Sequence, residues 1–201
     1  MVKLTFNAWG YSFQEGALTL QRAYQAAEDA LSGDLDTATD EAAIYHHNVQ
    51  NGAEPEQELD ENGYLIVDQG DILIMNIEAA TGALSAMRKA FVLALYHHWE
   101  RSARQWTKLD HAKHDKLSAA VVAMNYPIDP RLGGVRDLAN TIKHNSAQWG
   151  SNLAVSWPAT LPNGAPQGSG EWYDAVELSA KLMQDVGHII ASSGPTTHSP
   201  W

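Results

Sequence analysis

Cysteine is absent from this 201-residue chain. That single absence excludes disulfide frameworks, thiol nucleophiles, thiolate zinc sites and iron–sulfur clusters. Long apolar runs are missing too. The longest, Leu65 to Met75, is cut by Asp68 and Asp71 and falls short of the roughly 18 residues a membrane span needs. The first sixteen residues hold one lysine, no apolar h-region and no small-residue cleavage site, so no signal peptide is expected. A cytoplasmic protein without membrane contact is the expectation by exclusion. No Gly-rich phosphate loop, Gly-x-Ser-x-Gly elbow or His-Glu-x-x-His motif appears, and no cofactor is expected.

Basic residues are scarce over most of the chain, whose net charge is −11. Residues 1–87 hold 15 acidic residues against Lys3 and Arg22 only. Residues 88–143 reverse this, with ten basic and five acidic residues, and residues 144–201 return to four acids and Lys181. A basic island thus sits in an acidic protein. The overall charge argues against a general nucleic-acid binder.

What is present is helical periodicity. Helices are expected over residues 15–31 and 36–50, separated by Ser32-Gly33-Asp34. The acidic stretch Glu54 to Glu61 reads as a solvated loop, and Tyr64 to Val67 as an extended piece without a pairing partner. From Asp71 to Lys108, the residues Ile77, Ala80, Leu84, Met87, Phe91, Ala94 and His98 recur at intervals of three and four. That spacing marks the seam of a long central helix, within which Gly82 allows close helix approach. Further helices are expected over 111–125, 135–144 and 171–191, with an irregular packed loop or small hairpin over 145–171. The fold class is therefore all-α: a helical bundle with one long central helix. It is expected to form a single helical domain over residues 1–193, with a disordered tail at 194–201.

One helix carries groups suited to chemistry. On residues 135–144, Val135, Leu138, Ala139 and Ile142 fall on one face. Arg136, Asn140 and His144 line another at i, i+4, i+8, with Lys143 beside them. Histidine titrates near neutral pH and serves as general acid or base. Arginine and lysine stabilise charge on a transferring phosphate. The alternative for the same residues is a solvated helix face whose Lys143 and His144 suit the C-terminal dipole.

Nine histidines raise the question of metal. His46-His47, His97-His98 and His111-x-x-His114 are the available groups, but no Glu-x-x-His occurs and His97-x-x-Glu100 has the reverse order. No metal site is expected. His98 lies on the apolar seam as a structural, hydrogen-bonded residue, Trp99 packs on a neighbouring helix, and Glu100 pairs with Arg104 at i, i+4.

Two segments together resemble a family. Tyr96-His97-His98-Trp99-Glu100 resembles the Tyr-x-x-Trp-Glu stretch on a central helix of HEPN proteins, prokaryotic helical RNases and their inactive relatives. Asn140-Thr141-Ile142-Lys143-His144 resembles their Arg-Asn-x-x-x-His segment. The resemblance covers about residues 71–145 and the final helix. It implies an HEPN-like helical fold, homodimerisation around RNA and metal-independent attack by the ribose 2′-hydroxyl. His144 would be the catalytic histidine and Asn140 the orienting residue. Ala139 stands where the family has arginine, leaving Arg136 or Lys143 as substitutes.

Two functions follow as expectations. One is a metal-independent RNase of a toxin or phage-defence system, using His144, Asn140, Arg136 and Lys143. The other is a catalytically inactive HEPN-like acidic interaction protein that binds a basic protein partner, as an antitoxin or a phage-encoded inhibitor mimicking nucleic acid does. A helical bundle binding a small molecule or metal is the third alternative.

Overall fold

A computed structural model describes residues 6–166 and 171–199. The described residues form seven α-helices and one two-stranded sheet, as an all-α fold requires. In order they are α1 (Ala8–Gln50), β1 (Gln57–Leu59), β2 (Leu65–Asp68), α2 (Gln69–Thr107), α3 (His114–Ala123), α4 (Leu132–His144), α5 (Ala147–Ser156), α6 (Trp172–Ala175) and α7 (Ala180–Ala191), with a 3-10 turn at Pro158–Thr160. Contacts divide the chain into two compact units. The smaller is residues 25–87; the larger joins the chain up to Tyr24 to the chain from Arg88 onward.

In the larger unit, α1 starts earlier than its apolar pattern suggests. The Asn7 side-chain oxygen accepts from the Gly10 amide at 2.9 Å and caps the helix. The first turns of α1 lie on the later turns of α2. The Phe13 ring stacks on His98 and meets Trp106 edge-on. Close approach is permitted by Gly16, where a Cβ would strike the His98 ring, and not by Gly82, whose Cβ would meet nothing. His98 Nε2 bonds the Phe13 carbonyl oxygen at 2.9 Å, the structural role its place on the seam suggested.

The fully buried stripe of α2 is Val92, Leu95, Trp99, Ala103 and Trp106, rotated from the expected seam, most of which is only half-buried. Val135, Leu138, Ala139 and Ile142 of α4 are buried as expected. Two differences follow from tight packing. The expected loop at 145–171 contains α5, where Gly150 lies against the Trp172 ring of α6. The expected last helix is two pieces, α6 and α7, separated by extended residues that bury Val176 and Leu178.

The tail expected to be disordered is packed where it is described; its last two residues lie outside the described part. Trp99 donates its indole N–H to the Ser193 carbonyl oxygen at 2.6 Å. Gly194 fits against Trp106 and Phe13, and the Asn7 amide donates to the Thr197 carbonyl oxygen at 2.8 Å.

In the smaller unit, α1 runs unbroken through Ser32-Gly33-Asp34 to Gln50. Gly33 lies where a side chain would meet nothing, so the stop signal has no tertiary support. Thr37 and Thr39 hydroxyls bond the carbonyls four residues back, each at 2.8 Å, and so compete little with the helix. Tyr64 to Val67, expected to be unpaired, finds its partner in the acidic stretch: Glu58 pairs with Val67 and Leu59 with Leu65 in an antiparallel hairpin. Asp60 closes the turn by accepting from the Asn62 and Tyr64 amides at 2.8 Å each, with Gly63 at φ +84°.

Two glycine substitutions test these assignments. Gly33→Ala should raise stability by about 0.5–1 kcal/mol, the helix-interior difference between the residues. Gly150→Ala should cost about 1–3 kcal/mol by overpacking. Urea unfolding followed by circular dichroism measures both, and loss of stability in Gly33→Ala would show that α1 is interrupted there.

Candidate functional site

The polar stripe of α4 is divided by its neighbours. Arg136 is held by two carboxylates. Its Nε donates to Asp137 Oδ1 at 2.9 Å, and one terminal nitrogen donates to Asp115 Oδ1 at 2.8 Å. Its guanidinium carbon lies 5.9 Å from the centre of the Trp149 ring. Asp137 is buried, whereas Asp115 projects from the first turn of α3 into solvent. The trio of Arg136, Asp115 and Asp137 thus carries a formal net charge of −1, a poor receptor for phosphate.

Asn140 is half-buried, and Lys143 and His144 are exposed at the last turn. Asn145 ends the helix in the left-handed conformation at φ 44°, and its side-chain oxygen accepts from the Tyr173 amide at 2.8 Å. His144 is two turns from Arg136, about 12 Å along the axis. The helix brings the four sequence-selected residues to one side, with Arg136 neutralised at one end and His144 in water at the other.

A second polar group, which the sequence did not assemble, is built around His114 of α3. Its Nδ1 lies 3.1 Å from the Tyr96 hydroxyl and its Nε2 lies 3.3 Å from the Ser118 hydroxyl. The ring is tilted against Trp99 with centroids 5.2 Å apart. Burial pushes the His114 imidazole down from 6.5 to about 4; Arg136 adds to this, while Asp115 and Asp137 oppose it. Burial also raises the Tyr96 phenol above its ordinary range, with Glu100 adding to the shift. A neutral imidazole offers one donor and one acceptor and suits two hydroxyls; a protonated one offers two donors. The sequence signals were the spacing His111-x-x-His114, considered for metal and not favoured, and the segment Tyr96 to Glu100 that supplies two of its neighbours. Among the described residues, no three histidine or acidic side chains converge as a metal site would require. Glu100 pairs with Arg104 at 2.8 Å, as its spacing indicated.

The smaller unit shows a different chemistry. Residues 25–87 contain fourteen Asp and Glu and no Lys or Arg, while the rest of the chain has thirteen basic residues against ten acidic. The same unit exposes Ile44, Leu59, Tyr64, Leu65, Ile66, Ile72, Ile74 and Met75. Leu65 and Ile66 are consecutive in β2 and both exposed, so the hairpin is apolar on both faces. A cavity of about 340 Å³ lies beside it, with Ile44, Tyr45 and Leu73 in its lining and Glu41 and Glu56 among them.

The His114 group makes stability depend on pH. The folded value lies below the ordinary one, so the unfolded chain takes up the proton first as pH falls. Stability from this group is complete above about 6.5 and is lost toward about 4. Between pH 7 and pH 5 it should account for about 2 kcal/mol. His114→Gln should be less sensitive than the parent by about that amount in urea unfolding; equal pH dependence of the two proteins would refute the assignment.

No helix of the described residues is long and apolar enough to cross a membrane. No family model, curated protein or solved structure matches this chain.

Proposed function

We propose that this protein is an interaction module whose acidic unit, residues 25–87, docks a basic protein partner carrying apolar anchors. One observation carries the reading: an unbroken acidic composition, without a single Lys or Arg, coincides with exposed Leu59, Tyr64, Leu65 and Ile66 on the hairpin. Fourteen carboxylates in a segment without Lys or Arg steer a cationic partner from a distance and raise its association rate. Apolar residues at the same surface supply the contact energy that such charges alone do not. Both strands of a two-stranded sheet are edge strands, so an extended partner segment can add to either. Self-pairing through this unit is opposed by charge of one sign on both copies. In terms of the HEPN resemblance, this is a catalytically silent member that competes with nucleic acid for a basic protein.

A short fluorescein-labelled peptide alternating lysine and leucine provides the test, with an all-lysine peptide beside it. Fluorescence anisotropy should show tighter binding of the alternating peptide. Affinity for both should fall between low and physiological salt. Glu54→Lys, Glu56→Lys and Glu58→Lys together should weaken binding by on the order of tenfold or more. Binding indifferent to both salt and charge reversal would reject this reading.

The second reading is metal-independent RNA cleavage through His144, with Asn140, Lys143 and Arg136. It is favoured by the exposure of His144 and Lys143 side by side at the end of α4. It requires Arg136 to leave Asp115 and Asp137 or to act through them. Under this reading, purified protein cuts RNA in EDTA and His144→Ala slows it about 10²–10⁴-fold. Absence of cleavage removes the catalytic reading and leaves the first untouched.

A further inference from the structure

We propose that the connection between α2 and α3 forms a binding site for a compact oligophosphate anion. Two adjoining cavities meet there. One of about 630 Å³ is lined by Lys108, His111, Lys113 and Lys116 with Leu109, Asp110 and Ala112. The other, about 520 Å³, is lined by Arg101, Arg104, Gln105, Lys108 and Asp110. Lys108 and Asp110 line both, so the two cavities are neighbours with a shared rim, together called the basin.

The charge around this basin is uncompensated. Elsewhere in the larger unit, Arg131 pairs with Asp129 and Arg136 with Asp115 and Asp137. Within the basin, Arg104 is paired with Glu100. Among the described residues, Arg101, Lys108, Lys113 and Lys116 have no carboxylate within ion-pairing distance. Asp110 is the one carboxylate in the lining, and the nearby Asp115 is engaged by Arg136. Four cations that share only the Asp110 carboxylate around this depression repel each other unless a further anion joins them.

The local backbone holds these groups together. Lys108 ends α2 in the left-handed conformation at φ 57°, which reverses the chain immediately after the helix. The Ala112 amide donates to the Leu109 carbonyl oxygen at 3.3 Å and tightens the turn. The chain then enters α3 at His114, so Lys113 and Lys116 return toward the side of Lys108.

The size and charge select the ligand class. The volumes fall within the few hundred to about 1,000 Å³ typical of small-molecule sites. A single carboxylate brings one charge to four cations, whereas a chain of phosphates brings several in a compact volume and accepts from many N–H groups. Lysines act on phosphate as mobile point charges, and Arg101 adds a planar donor. The basin is built from one sixteen-residue stretch, Arg101 to Lys116, rather than from a long track. A free oligophosphate, such as a nucleoside polyphosphate, therefore fits it better than an extended nucleic-acid strand. This inference is independent of the acidic unit and of the reading built on it.

Inorganic tripolyphosphate is the probe, titrated into the full-length protein by calorimetry at low and physiological salt. Saturable binding is expected that weakens as salt rises. Lys113→Glu with Lys116→Glu should weaken it at least about tenfold, and Lys108→Gln should weaken it by a smaller factor. Lys181→Gln, an exposed lysine of α7 outside the basin, should leave it unchanged. Circular dichroism verifies that each variant is folded. A labelled single-stranded oligonucleotide is titrated in parallel. Absence of tripolyphosphate binding overturns the proposal. So does tripolyphosphate binding unaffected by the lysine substitutions, or tight oligonucleotide binding that tripolyphosphate does not displace. Self-association of the protein through the same lysines, detected by sedimentation, also overturns it, because the carboxylates of a second copy would then be the occupant.

Discussion

The indole of Trp99 is the fixed point of the larger unit. The side chain is fully buried, and an indole N–H in that position needs an acceptor. It finds the Ser193 carbonyl oxygen, and this brings the segment after α7 into the core. Ser193 then serves other elements: its hydroxyl donates to the Ile189 carbonyl oxygen and accepts from the Asp129 amide. One hydrogen bond from α2 thus organises the end of α7, the link between α3 and α4, and the tail. The His114 group rests on the opposite consequence, since the same ring supplies the apolar wall that keeps its imidazole neutral.

Charge is handled differently in the two units. In the larger one, Arg131 and Arg136 meet carboxylates, while Arg88 and Lys89 donate to the carbonyl oxygens of Leu178 and Tyr173. These bonds engage four of the unit's cations and leave those of the α2–α3 connection without carboxylate partners. Arg136 shows the cost to any catalytic use of α4, because its donors are already directed at Asp115 and Asp137. The smaller unit has no Lys or Arg with which to do the same. Local bonds are made there instead, such as Gln57 to Asp68, which holds that carboxyl below the usual range.

Much of the helical fold was legible in the sequence, and the reasons are specific. The buried face of α4 could be read because its apolar residues recur at helical spacing with polar residues opposite. The long central helix was legible for the same reason, but its buried stripe was not. The larger unit wraps α2 on the side of Val92, Trp99 and Trp106, which only partner helices determine. The continuity of α1 was hidden because Ser32-Gly33-Asp34 is a real stop signal locally and propensity alone does not end a helix. The hairpin was hidden because β1, Gln57-Glu58-Leu59, has no apolar alternation of its own. For the candidate site, the sequence placed four groups on one helix. It could not show that Asp115, twenty-one residues away, holds Arg136, nor that Tyr96 and Ser118 frame His114.

The path of the chain at Tyr24 and Phe91 has a topological consequence. Their rings meet edge-on with centroids 5.6 Å apart, so the polypeptide leaves the larger unit and re-enters it at neighbouring points. Topologically, residues 25–87 are then an insertion between two neighbouring points of the larger unit, entered along α1 and left along α2. Neither the residues around Trp99 nor its bond to Ser193 belong to that insertion. A chain that crosses this boundary only along two helices carries any rotation of the insertion back as a twist of α1 or α2, not as a shift of a loop.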